Sequence, residues 1–466
     1  MEKNHNEAKN LKLTFCSGAG AVTGANFLLE IAGAVGENNK KILIDCGMEQ
    51  GTSLADETNW SDFPYDPAEI DILFVTHAHI DHIGRIPKLV AQGFKGRIIS
   101  TDATRDLALP MLEDTCAIMS HYENVDIKKM YTHEVVAKAL SLWEGLKYHA
   151  DINLDHGFKC NFYDSGHILG SAMLHIEYGN KKILFTGDLG NSPSPLLRDT
   201  EVVKDIDYLI MESVYGDRNH EDRDTRKKRL EEVIEDNYNR GGVLIVPTFS
   251  LERSQELLFE IDDLVENKRV PQMPVFLDSP LAIKLTSIFR KYMHYFNESA
   301  QEVMNNDDDI FSFPGLKVTL ATDESKSILH APNPKIVIAG SGMSNGGRIL
   351  HHEQNYLPDA NNTLLLTGFQ SLGTLGRTIL EGAREIRING QVIPIKAKIE
   401  KIDGYSGHKD SDRLVEFVAD MSDSLQKVFI CMGEPRAAIF LAQRLRDSLG
   451  IYTETPMMGD TTVLEC

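Results

Sequence analysis

"VTHAHIDHIG", Val75–Gly84, is the stretch on which the reading of this chain turns. It holds three histidines and an aspartate within six residues, directly after the apolar run "DILFV". A short apolar run of that kind reads as a buried strand, and the polar segment as the loop that leaves it. Loops mounted on strand ends are rigid places to hold functional side chains. His77 and His79 alternate by one residue, so both face one side of an extended segment. Asp81 and His82 follow in a turn. Imidazole together with carboxylate suits zinc or a similar divalent ion. A merely polar turn would account for one histidine, but not for this spacing behind a buried strand.

Two further loops extend the set. "YDSGHILGSA" places His167 in a Gly/Ser turn between two strands, and "ILFTGDLG" places Asp188 at the end of another. Either alone reads equally well as a turn residue. Joined to the first loop they make four histidines and two aspartates, enough ligands for two ions. Asp45, in "ILIDCG", also ends a strand and suits the role of orienting a ligand histidine or a metal-held water.

The bulk numbers set the frame. A length of 466 residues implies two or three domains. A net charge of −21 argues against a protein that grips nucleic acid with a broad basic surface. A nuclease remains compatible with it, because ions supply local positive charge in a carboxylate-rich site. The six cysteines are scattered without a CxxC pair, as expected of reduced thiols in the cytoplasm. The first ten residues are polar, and no apolar run approaches the ~20 residues needed to span a bilayer. The sequence thus predicts a cytoplasmic protein with no membrane segment.

Residues 1–205 read as clusters of strands with helices outside them. From 206 to 385 short apolar strands ("DYLIMES", "GGVLIVPTF", "PVFLDS", "KIVIAGSG", "NTLLLTGF") alternate with long helical segments. That is the pattern of a doubly wound α/β domain on a largely parallel sheet. Residues 386–466 become strand-rich again. "NNDDD", Asn305–Asp309, reads as a solvated loop, and "RKKR", Arg226–Arg229, as a solvated helix face.

In order and spacing, Asp45, the HxHxDH loop, His167 and Asp188 resemble the metallo-β-lactamase fold hydrolases. The resemblance implies an αββα sandwich with the site at one edge of its two sheets. It implies His77, His79 and His167 on one zinc, Asp81 and His82 on another, Asp188 bridging, and a bridging hydroxide as nucleophile. Two cations would lower the pKa of a water and stabilise charge on a phosphoryl oxygen.

The middle region narrows the family. "MESVYGDR", "IVPTFSLERSQELL", "FLDSPLA", "AGSGMSNGGRILHH" and "TGFQSLGTLGRTILEGA" together resemble the β-CASP domain inserted in metallo-β-lactamase nucleases. Bacterial RNases and the endonuclease subunit of the pre-mRNA 3′-end cleavage factor belong to that family. The resemblance implies a ribonuclease that hydrolyses single-stranded RNA at a zinc site in the inter-domain cleft. Asp81, Glu212 and His408 (in "GYSGHKD") then form the catalytic set, His408 protonating the leaving oxygen. A carboxylate raises the pKa of such a histidine and fixes its tautomer. The loops "GSGMSNGGR" and "GTLGR" read as phosphate holders, through Ser341, Ser344, Arg348 and Arg377. The family also carries a homodimer as an expectation.

The chain departs from the RNA-cleaving pattern at one place. Members of that group carry a last histidine ligand in a strand-end "HGE"; here the stretch is "KVFICMGEP", with Met432 at that position. A thioether is a poor zinc ligand among nitrogen and oxygen donors. The expectation is a weakly held or partly filled second zinc, with manganese as the alternative ion. By strand alternation Cys431 should point to the opposite face from Met432. An apolar residue at this position is a feature of DNA-acting members. The readings that compete with a ribonuclease are therefore a DNA-acting nuclease and a nucleic-acid-binding scaffold of weakened catalysis.

Overall fold

The computed structural model describes residues 11–31, 40–50, 53–154, 157–220, 225–305 and 309–465. The core of the acidic "NNDDD" tract, 306–308, lies outside them. The chain divides into two compact units: one of residues 1–192, 199–219 and 408–466, the other of 193–198 and 220–407. Among the described residues no helix is long and apolar enough to cross a membrane.

The first unit is built on two seven-stranded sheets. The first carries, in spatial order, strands Thr461–Leu464, Leu11–Ser17, Asn26–Ile31, Lys40–Ile44, Ile72–Phe74, Arg97–Thr101 and Trp143–Leu146. The second carries Thr453–Glu454, Lys427–Ile430, Tyr208–Met211, Lys181–Phe185, Ala172–Tyr178, Phe158–Asp164 and Ile152–Leu154. Their facing sides form one apolar core; in the first strand Leu11, Leu13 and Phe15 turn inward and Lys12 outward, the period-2 pattern of a half-buried strand. Rings lock the sheets together near the strand ends. Phe74 meets Phe162 edge-on at 6.0 Å, and Phe27 lies 6.2 Å from Phe185, each contact contributing about 1 kcal/mol beyond its buried area. Helices cover the outer faces. Asp102–Met119 packs on Arg97–Thr101 and Trp143–Leu146. Ser411–Ala419 and Pro435–Leu449 bury Leu414, Phe417, Leu441 and Leu445 against Leu184, Leu209 and Val428. The unit is the αββα sandwich of the metallo-β-lactamase fold.

The second unit holds a six-stranded sheet, Leu316–Val318, Val275–Leu277, Lys335–Ala339, Val243–Pro247, Thr363–Leu366 and Lys398–Lys401, parallel throughout. Its central strand is buried along its whole length, as parallel strands covered on both faces are. The loops with chemical character, at Thr248, Asp278, Ser341 and Gln370, all follow the C-terminal ends of strands, where open α/β sheets bind ligands. In the helix Arg226–Arg240, Arg226 does not face solvent as the sequence pattern suggests. Its side chain bonds Glu260 and lies over the Tyr405 ring.

The unit boundaries fall at 219/220 and 407/408, not at 205/206 and 385/386. Strand Tyr208–Met211 pairs in parallel with Lys181–Phe185 and Lys427–Ile430, so Glu212 belongs to the sandwich. Strand Lys398–Lys401 pairs with Thr363–Leu366, so the second unit extends past residue 385. Apolar strand character alone did not reveal which sheet each strand joins.

Candidate metal centre

The site is assembled from loops that follow strands Lys40–Ile44, Ile72–Phe74, Phe158–Asp164, Lys181–Phe185 and Tyr208–Met211. The first two of these strands are parallel to each other. The last three share one direction within the second sheet, so their loops emerge at one edge. The loops touch backbone to backbone. Ala25 N–H donates to Asp81 O, and Cys46 N–H to His82 O. A Cβ on Gly47 would lie 1.5 Å from Asp81 O, so only glycine lets these segments pass.

Four ligand atoms converge. His77 Nε2 and His167 Nε2 each lie 3.2 Å from His79 Nδ1 and 3.4 Å from Asp188 Oδ2. A tetrahedral zinc with bonds near 2.0–2.1 Å has ligand–ligand edges of about 3.3 Å. The observed separations therefore fit one ion. Burial, and then the neighbouring imidazoles, hold the pKa of His77 and His79 well below the usual value, so both present lone pairs. Burial works against ionisation of Asp188, but His82 and His77 outweigh it and keep the carboxylate charged.

The neighbouring half-site is differently built. Asp45 Oδ2 lies 2.7 Å from His82 Nδ1, and Asp45 also accepts from Thr76 N–H and Thr76 Oγ1 at 2.8 Å each. Thr76 Oγ1 is in turn 3.1 Å from His77 Nδ1, so this one carboxylate orients both ligand histidines. With Nδ1 turned to Asp45, His82 Nε2 faces Asp188 Oδ1 at 3.4 Å, and neither atom has a hydrogen-bond partner. Without a proton on His82 Nε2 these are two buried acceptors face to face, an arrangement that suits a cation between them. Burial opposes a charge on His82, yet Asp188 and Asp45 raise its pKa well above the usual value. Asp81 is pushed up to about 6, by burial first and by Asp188 as well, against the pull of His82.

Glu212 and His408 form a pair beside this cluster. Glu212 Oε1 accepts from Leu189 N–H at 2.7 Å and lies 3.1 Å from His408 Nδ1; Oε2 accepts from Val214 N–H at 3.2 Å. Burial lowers the His408 pKa, but the Glu212 carboxylate more than compensates and raises it to about 9. The ring centroids of His408 and His167 are 4.7 Å apart.

Met432 is turned into the sandwich core. It is 3 % exposed, and a Cβ on Gly18 would lie 2.7 Å from its sulfur. Cys431 belongs to the same core cluster, and both residues border a small cavity with Asp45, Thr76, His82 and Glu212. The expected opposition of Cys431 and Met432 is therefore corrected. Met432 has φ +44°, which breaks strand alternation just past Lys427–Ile430.

The residues read as phosphate holders all lie in the second unit, and each has a partner there. Arg348 donates to Asp278 Oδ1 at 2.6 Å and to the carbonyls of Thr319 and Leu320. Ser344 is buried and donates to Glu353 Oε1. Ser341 Oγ accepts from Asn345 N–H, and Arg377 Nε bonds Glu381 in the next turn of its helix. Sequence reasoning missed Thr76 and Lys409. Lys409 Nζ donates to Gly190 O at 2.9 Å and fastens the His408 segment to the Asp188 loop. Each adjoins a residue that had been singled out, which was the available signal.

Comparison with known proteins matches this architecture. Residues 35–213 match the family model of the metallo-beta-lactamase superfamily domain, 254–379 that of the Beta-Casp domain, and 392–456 that of the Zn-dependent metallo-hydrolase RNA specificity domain. The chain is 34% identical over 418 residues to ribonuclease TTHA0252 of Thermus thermophilus, covering 90% of both chains. It is 33% identical to an RNase J-like protein of Methanocaldococcus jannaschii, covering 90% of this chain and 93% of that one. It is 30% identical to the transcription termination factor FttA of Methanosarcina mazei, covering 89% of this chain and 66% of that protein. A crystal structure of a protein of unknown function from Enterococcus faecalis V583 shares the fold, with a TM-score of 0.55, 14% identity and coverage of 98% and 100%.

Proposed function

Because this chain belongs to the β-CASP family of metallo-β-lactamase fold nucleases, we propose that it hydrolyses phosphodiester bonds of single-stranded RNA with zinc as its resident ion. It is a metal-dependent nuclease. The observation that carries the reading is the convergence of His77, His79, His167 and Asp188 beside the Glu212–His408 pair. The match to an RNA specificity domain and the named ribonucleases among the relatives favour RNA.

His77, His79, His167 and Asp188 would hold the first ion, and Asp81 and His82 with Asp188 offer a second position, for zinc or manganese, that stays largely unfilled for want of a further ligand. When bound, such ions lower the pKa of water and neutralise charge on phosphoryl oxygens. The chain's own groups do the rest. Asp45 fixes the rings of His82 and, through Thr76, of His77. Glu212 holds His408 Nδ1 and so orients the imidazole. His408, protonated at neutral pH, gives its proton to the leaving oxygen. Ser341 and Arg377 are the phosphate contacts we retain in the second unit. Cys16, Cys46, Cys116, Cys160 and Cys431 are free thiols, in keeping with a cytoplasmic enzyme. We take the enzyme to work as a homodimer.

Met432 is the one observation that favours a DNA-acting enzyme, and a single experiment weighs it. End-labelled single-stranded RNA and DNA are incubated with the protein, with and without zinc or manganese, beside a double variant Asp81→Ala, His82→Ala. Metal-dependent RNA cleavage that the variant loses is expected. Equal cleavage by the variant would remove the metal mechanism. Cleavage of DNA alone would change the substrate, and cleavage of neither polymer would leave a binding scaffold.

A further inference from the structure

We propose that Asp188, Glu212 and His408 form an inhibitory cation site, at which excess divalent ion captures the imidazole of His408. One ligand atom from each of the three lies within 4.8 Å of the others. His408 Nδ1 is 3.1 Å from Glu212 Oε1 and 4.0 Å from Asp188 Oδ2. A donor set of one imidazole and two carboxylates suits zinc or manganese. The two carboxylates are buried, while the His408 side chain keeps 20% of its surface exposed, which gives an ion a way in.

The ligands are held in place before any ion arrives. Glu212 is fixed by Leu189 N–H and Val214 N–H. Gly190 bridges to His408, Lys409 N–H donates to Leu189 O, and Lys409 Nζ donates to Gly190 O. Asp188, Glu212 and His408 are thus positioned by three short segments that are tied to one another.

The alternative place for an additional ion is less complete. His82 and Asp188 face each other there, but among the described residues Asp81, His82 and Asp188 do not bring one ligand atom each within 4.8 Å. Met432, at the position of a further ligand, has its sulfur against Gly18 in the core. An ion added beyond the first therefore meets a gathered triad on the His408 side and a spread one on the Asp81 side. Occupying the triad replaces the proton on His408 Nδ1, which passes to solvent, and breaks its contact with Glu212, so the acid is disabled. Nuclease activity then rises with the first equivalent of zinc and falls with excess.

The inhibition rests on the reading of His408 as the acid, but the site itself can be tested without turnover. Zinc binding to metal-free protein is measured by equilibrium dialysis with metal analysis, for wild type, His408→Gln, Glu212→Gln and Asp81→Asn. Retention of the tight equivalent and an unchanged thermal unfolding midpoint confirm that each variant is folded. The expected result is one tight and one weak equivalent in wild type, the weak one lost in His408→Gln and Glu212→Gln and kept in Asp81→Asn. In parallel, cleavage falls about 100-fold or more as zinc fills the weak site, the scale of a lost general acid. Loss of the weak equivalent in Asp81→Asn with its retention in His408→Gln would overturn the proposal. So would a wild type that takes up only one zinc at any concentration. If the protein cleaves no RNA, the dialysis result still decides whether the site exists.

Discussion

Gly190 and Gly166 approach so closely that a Cβ on Gly190 would lie 1.8 Å from the Gly166 carbonyl oxygen. The first follows Asp188 by two residues and the second precedes His167 by one. Gly190 N–H donates to Ser165 O at 2.8 Å, so the two loops are joined backbone to backbone. Gly190→Ala is therefore expected to push the loops apart, at a cost of up to about 3 kcal/mol for the overpacking. Zinc affinity should fall with it, because His167 and Asp188 separate. Urea unfolding together with competition against a chelator measures both. Unchanged zinc affinity would mean that the loops do not depend on this contact.

Asp45 touches no ligand atom of the four-residue cluster, yet it controls two of the ring orientations. Asp45→Asn replaces one acceptor oxygen with a donor, so it cannot serve Thr76 and His82 together as the carboxylate does. Zinc affinity is expected to fall about 10–100-fold, the range seen when such supporting groups are removed. Chelator competition reads it directly. An affinity equal to wild type would place Asp45 outside the support of the site.

Met432→His is expected to restore a nitrogen ligand beside the Asp81/His82 half-site. A second zinc per chain should be held tightly. The second equivalent should become sensitive to Asp81→Asn, which the weak equivalent of the wild type is not. Metal analysis of the single and double variants is the measurement. A count of tightly held zinc that stays at the wild-type value would show that the core packing around Gly18 holds the new side chain away.

The second unit contains its own pH-dependent element. Asp278 is fully buried and accepts from His352, Ser325, Thr319 and Arg348. Burial opposes its ionisation, but these donors prevail and depress its pKa below the usual carboxylate range. A depressed pKa contributes stability that is present above the unfolded value, about 3.9, and is lost as pH falls toward the lower folded value. Wild type should therefore lose stability steadily below about pH 4, and Asp278→Asn should lose less over the same range while being less stable at pH 7. Urea midpoints from pH 7 to pH 3 test this. Parallel pH curves for the two proteins would show that Asp278 does not carry the effect.

Some of the site was legible because the signals are local. HxHxDH behind "DILFV" places four candidate ligands within six residues, and each of His167 and Asp188 follows a short strand with its own turn residues. The parallel sheet of the second unit was legible for the same reason, from strands alternating with helices. Arg348 and Ser344 read as phosphate donors because a Gly/Ser loop with arginine looks alike whether its donors are free or engaged. The partner of Arg348 is Asp278, 70 positions away, and nothing in the loop announces it.

By itself the sequence singled out the candidate ligands and the strand ends that carry them, since strand ends, turns and imidazole spacing are properties of short segments. Only the tertiary structure decided how those ligands are shared. It drew His77, His79, His167 and Asp188 into one set of converging ligand atoms and bound Glu212 to both Leu189 and His408. It turned Met432 inward beside Cys431, and it assigned strand Tyr208–Met211 to the sandwich. These outcomes depend on sheet pairing and backbone contact between distant segments, and on one positive φ at Met432, none of which is encoded in local periodicity.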